Sequence, residues 1–244
     1  VPAGDGWTFE IVPELQGAFG GAFGGAVAAA ALIAARPLAP DRTPAALDVN
    51  FLRALPSGTA KARPTVVRAG RSLTFTAVDV FDADGRQSAR VTITFVDPDA
   101  LDERPPVERP VPAVLDPKTW RSPAGVTAPI LETLQPRVGP TDDGGVACII
   151  TLPWDDPRAS AEAACFAGDL CVGPPVAAGM GDPYVGHPNP DVSLRFLPGE
   201  VGREVTGVAR LEGLSGGLAV QTVRVYEGVR PIAAGTSMSL LIAR

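Results

Sequence analysis

Residues 17–35 read GAFGGAFGGAVAAAALIAA, a stretch with no charge that opens on glycine pairs and turns into an alanine run. About 20 apolar residues suffice to cross a bilayer, and Gly17, Gly21 and Gly25 keep the small-residue spacing of helices that pair in membranes. Against that reading, only Val27, Leu32, Ile33 and two Phe supply strong hydrophobicity. Asp5 and Glu10 precede the stretch, and no basic cluster sets an orientation. It lacks the charged leader of a signal peptide and follows a strand-like segment. The remaining reading is a helix wrapped so closely that mostly small side chains fit. Gly24-Gly25 open it and Arg36-Pro37 close it, because proline cannot continue a helix.

The 244 residues allow one large domain or two small ones, and either can bury a real core. A net charge of −6 and the lack of any Lys/Arg block argue against nucleic acid as a partner. Three cysteines, Cys148, Cys165 and Cys171, show no CxxC spacing, and His187 is the sole histidine, so no metal site is expected. An odd cysteine count without a secretory leader fits a reducing cytoplasm.

Outward from the central helix, the chain reads as strands. WTFEIV (7–12) precedes it. DVNFLRAL (48–55), TAKARPTVVRAG (59–70), RSLTFTAVDVFDADG (71–85) and RQSARVTITFV (86–96) follow, rich in Val, Thr and Phe and separated by turn residues. Val91, Ile93 and Phe95 alternate with Thr92 and Thr94, as on a half-buried strand. Such closely spaced strands predict an antiparallel meander. Residues 98–129 are dense in proline and charge and read as a linker. Beyond it come an extended stretch (131–138), a strand (146–152), a helix-like stretch (159–172) and strands to the C-terminus.

The second half echoes the first in order. DVNFLRALP (48–56) returns as DVSLRFLP (191–198). RSLTFTAVDVFDADG (71–85) returns as GGLAVQTVRVYEG (216–228), and ARVTITF (89–95) as AAGTSMSLL (233–241). This predicts an internal duplication. The expected fold class is α+β: two repeats, 1–97 and 130–244, each a long antiparallel sheet wrapped around a central helix. The second helix carries Glu162 and Asp169 where the first has no charge, so one working crevice is expected rather than two.

Three segments carry a resemblance. FGGAVAAAAL (23–32) is similar to the FGGQ-x-x-AQAL helix start of the acyl-CoA thioesterase II family. DVNFLRALPSG (48–58) resembles its H-S-Y-F-L-R-P-G strand, and RAGRSLTFTAV (68–78) its R-D-G-R-S-F-x-x-R-x-V loop and strand. PDVSLRF (190–196) resembles its L-D-H-S-M-W-F segment, and FAGDLCV (166–172) echoes its S-D-x-x-L-L helix. The resemblance implies a double hot-dog fold and a hydrolase of acyl-CoA thioesters in lipid metabolism, with no cofactor beyond the CoA of the substrate. It implies Asp191 as the carboxylate that activates water, and it sets Ser237 where the family has glutamine. The family's hydroxyl falls near Arg210–Glu212, where none stands. Gly24 and Gly25 would offer backbone N–H groups to the thioester oxygen. Arg68 and Arg71, with Ser72 beside them, would contact CoA phosphates.

Two other readings compete. An acyl-CoA-binding protein would keep the fold without the chemistry. An enoyl-CoA hydratase would use Asp182 and His187, which keep the Asp-to-His spacing of the (R)-hydratase motif D-x-N-P-[LIV]-H, although the residues between them differ. A duplicated hot-dog is its own dimer, and pairing of copies through sheet edges to give a homo-oligomer is a further expectation.

Overall fold

The computed structural model describes residues 2–3, 6–102, 104, 110–121, 126–180 and 187–242. The chain runs β1 (Pro2–Ala3), β2 (Gly6–Ile11), α1 (Gly24–Ala35), β3 (Thr43–Phe51), β4 (Gly58–Ala69), β5 (Leu73–Phe81) and β6 (Gln87–Val96). It continues with β7 (Lys118–Thr119), α2 (Pro129–Leu134), β8 (Arg137–Pro140), β9 (Val146–Thr151) and α3 (Ser160–Leu170). Last come α4 (Gly173–Met180), β10 (Asp191–Phe196), β11 (Glu204–Ser215), β12 (Leu218–Glu227) and β13 (Arg230–Leu240).

One antiparallel sheet holds these strands in the order β1-β2-β4-β5-β6-β3-β10-β13-β12-β11-β9-β8-β7. Read outward from the β3–β10 pair, the two arms match strand for strand. β6, β5, β4 and β2 lie on one side, with β13, β12, β11 and β9 on the other. The first echo falls on β3 and β10, the second on β5 and β12, and the third on β6 and β13. This is a double hot-dog: a curved sheet with α1 and α3 against its inner face.

The seam shows how alternation builds the core. Leu47 pairs with Leu194 and Asp48 with Ser193. Leu47 and Leu194 point inward and are fully buried, each contributing about 2 kcal/mol by leaving water. Asp48 points outward and accepts a hydrogen bond from Arg195 at 2.9 Å. Turn chemistry closes the meander: the Gly85 N–H donates to Asp82 O across the β5–β6 turn, with Gly85 at φ 78, where a side chain is disfavoured.

The apolar stretch 17–35 holds the helix from Gly24 to Ala35, 12 residues long and too short to span a bilayer. Glycine at its start allows close approach: a Cβ on Gly25 would lie 2.7 Å from Cys165 O and 2.8 Å from Phe166 Cα of α3. Residues Ser160–Met180 do reach spanning length and hydropathy, but 67% of their apolar 18-residue window is buried inside the protein.

Two segments differ from expectation. Residues 131–134, expected to begin an extended stretch, belong to the helix α2; Pro129 starts it and Ile130, Leu131 and Leu134 turn inward. The second helical region runs beyond residue 172, because Pro174 and Pro175 sit in the first turn of α4, where proline is tolerated. Parts of the 98–129 segment also take structural work. β7 extends the sheet edge, Val111 and Val114 pack on Ala147, Val208 and Tyr226, and the Trp120 N–H donates to Pro136 O.

Candidate active site

Helices α1 and α3 pack antiparallel, so each end of the pair joins one helix N-terminus to the other's C-terminus. At one end, Arg36 donates from Nε and Nη2 to the two carboxylate oxygens of Glu162 at 2.8 and 2.9 Å. The cation sits at the C-terminus of α1 and the carboxylate in the first turn of α3, both where the helix dipoles favour them. At the other end stands Asp169. It lies in the last turn of α3, where its own helix disfavours negative charge. Its support comes from elsewhere: the Gly25 N–H donates to Oδ2 at 2.8 Å, the Gly24 N–H also bonds it, and Asn189 Nδ2 donates to Oδ1 at 2.7 Å.

Burial nevertheless dominates. Asp169 is 8% exposed, and loss of hydration pushes its pKa up from 3.8 to about 6 against the opposing hydrogen bonds of Asn189, Gly25 and Gly24. Among the described residues no arginine or lysine neutralises it in the way Arg36 neutralises Glu162.

Asp169 and Gly24 border a cavity of about 640 Å³. Phe23, Val27, Phe51, Leu55, Ile130 and Leu131 make much of its apolar wall, while Trp120 from the proline-rich segment, Arg53 and His187 also line it. Burial lowers the His187 pKa from 6.5, which favours the neutral ring. Ser88 lines the cavity as well; it is 1% exposed, and its Oγ has no partner among the described residues. An unpaired buried hydroxyl costs about 1–3 kcal/mol.

A cysteine nucleophile does not fit. All three thiols are free and buried. Burial raises the pKa of Cys148 to about 12 and those of Cys165 and Cys171 well above 9.0, so they stay protonated. Among the described residues no group of three His, Cys, Asp or Glu side chains is placed to hold a metal.

The residues expected from the sequence fall in three places. Gly24 and Gly25 open α1 at the cavity, but their N–H groups are turned to Asp169. Asp191 and Ser237 do meet: Ser237 Oγ donates to Asp191 O at 2.7 Å. The Asp191 carboxylate accepts the Met238 N–H at 2.8 Å, so it joins β10 to β13, and neither residue is among those lining the cavity. Arg68, Arg71 and Ser72 lie exposed at the β4–β5 turn. There Arg42 Nη2 donates to the carbonyls of Gly70 and Arg71. They too stand apart from the cavity lining, where the arginine is Arg53. Asp182 falls outside the described residues.

A central helix start facing a carboxylate across a duplicated sheet invites comparison with known proteins. Residues 12–96 match the acyl-CoA thioesterase N-terminal domain. The resemblance read from the sequence holds over that matched domain. No curated protein matches the chain in sequence. Among solved structures, a candidate thioesterase from Novosphingobium aromaticivorans superposes with TM-score 0.84 at 20% identity, covering 100% of this chain and 98% of its own. A hot-dog protein of unknown function from Alicyclobacillus acidocaldarius gives TM-score 0.79 at 23% identity, covering 100% and 96%. The acyl-CoA thioesterase II TesB2 of Mycobacterium marinum gives 0.72 at 19% identity, covering 92% and 90%. At these identities the likeness establishes the fold, with the thioesterase domain supplying its first arm.

In the sequence Asp169 stands out as a charge that makes the halves unequal, and it lies in FAGDLCV (166–172), the segment that echoes the family's S-D-x-x-L-L helix. An aspartate in the last turn of a mostly apolar helix, at the end unfavourable for it, is the signal that marks the site. Asn189 carries no such signal, since it stands between Pro188 and Pro190 in a loop.

Proposed function

We propose that this chain hydrolyses acyl-CoA thioesters, with Asp169 as the base that activates water. The observation that carries the reading is a buried carboxylate, with its pKa raised to about 6, at the α1 N-terminus and on the wall of a largely apolar cavity. A base with that pKa is ionised at neutral pH and still able to take a proton. Asn189 and Gly25 orient it. The apolar wall suits an acyl chain, and Arg53 supplies a cation for the CoA moiety.

In this mechanism Asp169 removes a proton from water as its oxygen attacks the thioester carbonyl. The carbonyl π pair moves to oxygen and gives a tetrahedral oxyanion. Proton gain weakens Asp169 as an acceptor, which releases the Gly24 and Gly25 N–H groups toward that oxyanion. Collapse expels the CoA thiolate, which takes up the proton, and leaves the carboxylic acid.

The test is hydrolysis of acyl-CoA esters over a range of chain lengths, with free thiol detected, for wild type and Asp169→Asn. Turnover lost in the variant supports the reading. Thermal stabilisation by CoA esters without turnover in wild type would replace it with a binding protein. The occupied lone pairs of Asp169 favour that second reading. Hydration of crotonyl-CoA that is lost in His187→Ala would instead support a hydratase.

A further inference from the structure

On β6 the inward positions are Ala89, Val91, Ile93 and Phe95, all buried. By that alternation Ser88 belongs on the outer face with Arg90. The register says otherwise: Val80 pairs with Ala89 but Phe81 pairs with Gln87, leaving Ser88 as the extra residue of a β-bulge. A bulge re-aims the side chain it carries. Here it turns Ser88 inward, to 1% exposure and onto the cavity wall.

The Ser88 carbonyl is fully engaged, since it accepts both the Leu52 and Arg53 N–H groups. The Ser88 hydroxyl is not; Oγ has no partner among the described residues. Phe51, Ala54, Leu55 and Ala89 line the same cavity, as does Arg53, whose guanidinium does not bond the hydroxyl. Apart from Arg53, these side chains offer no polar atom, whereas a trapped water needs two or more polar partners to be held. The partner this hydroxyl lacks is best supplied by whatever fills the cavity.

We infer that Ser88 is a specificity-determining residue, and that the preferred acyl group carries a hydroxyl or carbonyl oxygen on its chain rather than being a plain alkyl. The inference rests on the acyl-thioester reading of the cavity. A plain alkyl chain would leave Ser88 unpaired in the complex, whereas an oxygen on the chain pairs with it. Sites built around a hydroxyl discriminate strongly against analogues that cannot bond it.

The test uses the full chain and non-hydrolysable thioether analogues of decanoyl-CoA. One is plain, and the others carry a single hydroxyl or oxo group at successive chain positions. Affinity is read by calorimetry. Wild type is expected to bind at least one oxygenated isomer about tenfold tighter than the plain analogue. Ser88→Ala should abolish that preference while holding the plain analogue within about twofold. Ser88→Thr, which keeps the hydroxyl, should retain the preference. Turnover of plain acyl-CoA with no oxygenated isomer favoured overturns this inference alone, and so does equal weakening of all analogues by Ser88→Ala. No binding of any analogue, together with no turnover of acyl-CoA thioesters, overturns the thioesterase reading and this inference with it.

Discussion

The Gly25 amide donates to the Asp169 carboxylate at 2.8 Å, from the first turn of one central helix to the last turn of the other. The bond joins the two repeats at the point where a helix N-terminus is electropositive, and it holds a carboxylate that burial otherwise disfavours. Function and stability therefore pull apart at Asp169. Below pH 3.8 the carboxyl is protonated in both folded and unfolded chains. Between there and about 6 the folded chain keeps the proton and the unfolded chain loses it, so stability falls as pH rises. Above 6 the full cost, about 3 kcal/mol, is in place. Asp169→Asn should remove it: urea unfolding of the variant against wild type should show a gain that grows from pH 4.5 to pH 8. The same variant should lose at least about 100-fold in kcat. A variant that is no more stable at pH 8 than at pH 4.5, relative to wild type, contradicts the raised pKa.

Asn189 works against that burial, because its hydrogen bond lowers the Asp169 pKa. Wild-type kcat/KM should rise with pH on a limb centred near 6, since the base acts when ionised. Asn189→Ala removes the bond, and the limb should move to higher pH. His187 lines the same cavity and titrates below its ordinary 6.5, so His187→Ala serves as the control. The limb should survive it. A limb that disappears with His187 and ignores Asn189 would assign the base to the imidazole.

Packing at Gly25 is as tight as its hydrogen bond is short. A methyl there would lie 2.7 Å from Cys165 O and from the Phe23 ring, and 2.8 Å from Phe166 Cα. Backbone atoms of α3 cannot give way without parting the helices. Gly25→Ala should therefore destabilise the fold by about 1–3 kcal/mol, measured by denaturant unfolding. A neutral result would mean that the helix pair slides freely, and with it the alignment of Gly25 on Asp169.

Much of the fold was legible because it is written in periodicity. The alternation of Val91, Ile93 and Phe95 placed β6, and the echo of DVNFLRALP in DVSLRFLP marked β3 and β10, which meet at the seam. Period-two burial leaves its mark locally, so it survives without any knowledge of partners. The short α2 did not stand out, because six residues give too little period to separate helix from strand. The site was less legible for a different reason. Asp191 and Asp169 are both plausible carboxylates in the sequence. What separates them is that Asp191 lies where it can accept the Met238 N–H, while Asp169 is carried into a cavity by the crossing of two helices. That crossing joins residues far apart in the chain, and no local pattern announces it.

The opposite end of the helix pair supplies the last prediction. Glu162 is 6% exposed and is held by Arg36 through two hydrogen bonds of 2.8 and 2.9 Å. The arginine is more open, with its side chain 37% exposed, so solvent screens part of the attraction. Removing one partner is nevertheless unequal to removing both, because a lone buried carboxylate keeps its desolvation cost without the compensating cation. Arg36→Met should destabilise by about 2–3 kcal/mol, less than a fully enclosed pair would. Glu162→Gln should cost about 1 kcal/mol, since it leaves only an arginine that can reach water. The double variant should be more stable than Arg36→Met alone, which gives a double-mutant cycle with clear coupling. Additive effects would mean that the pair is solvated despite its geometry. In every variant of this pair the pH limb of catalysis should stay where it is, because Arg36 and Glu162 sit at the far end of the helices from Asp169.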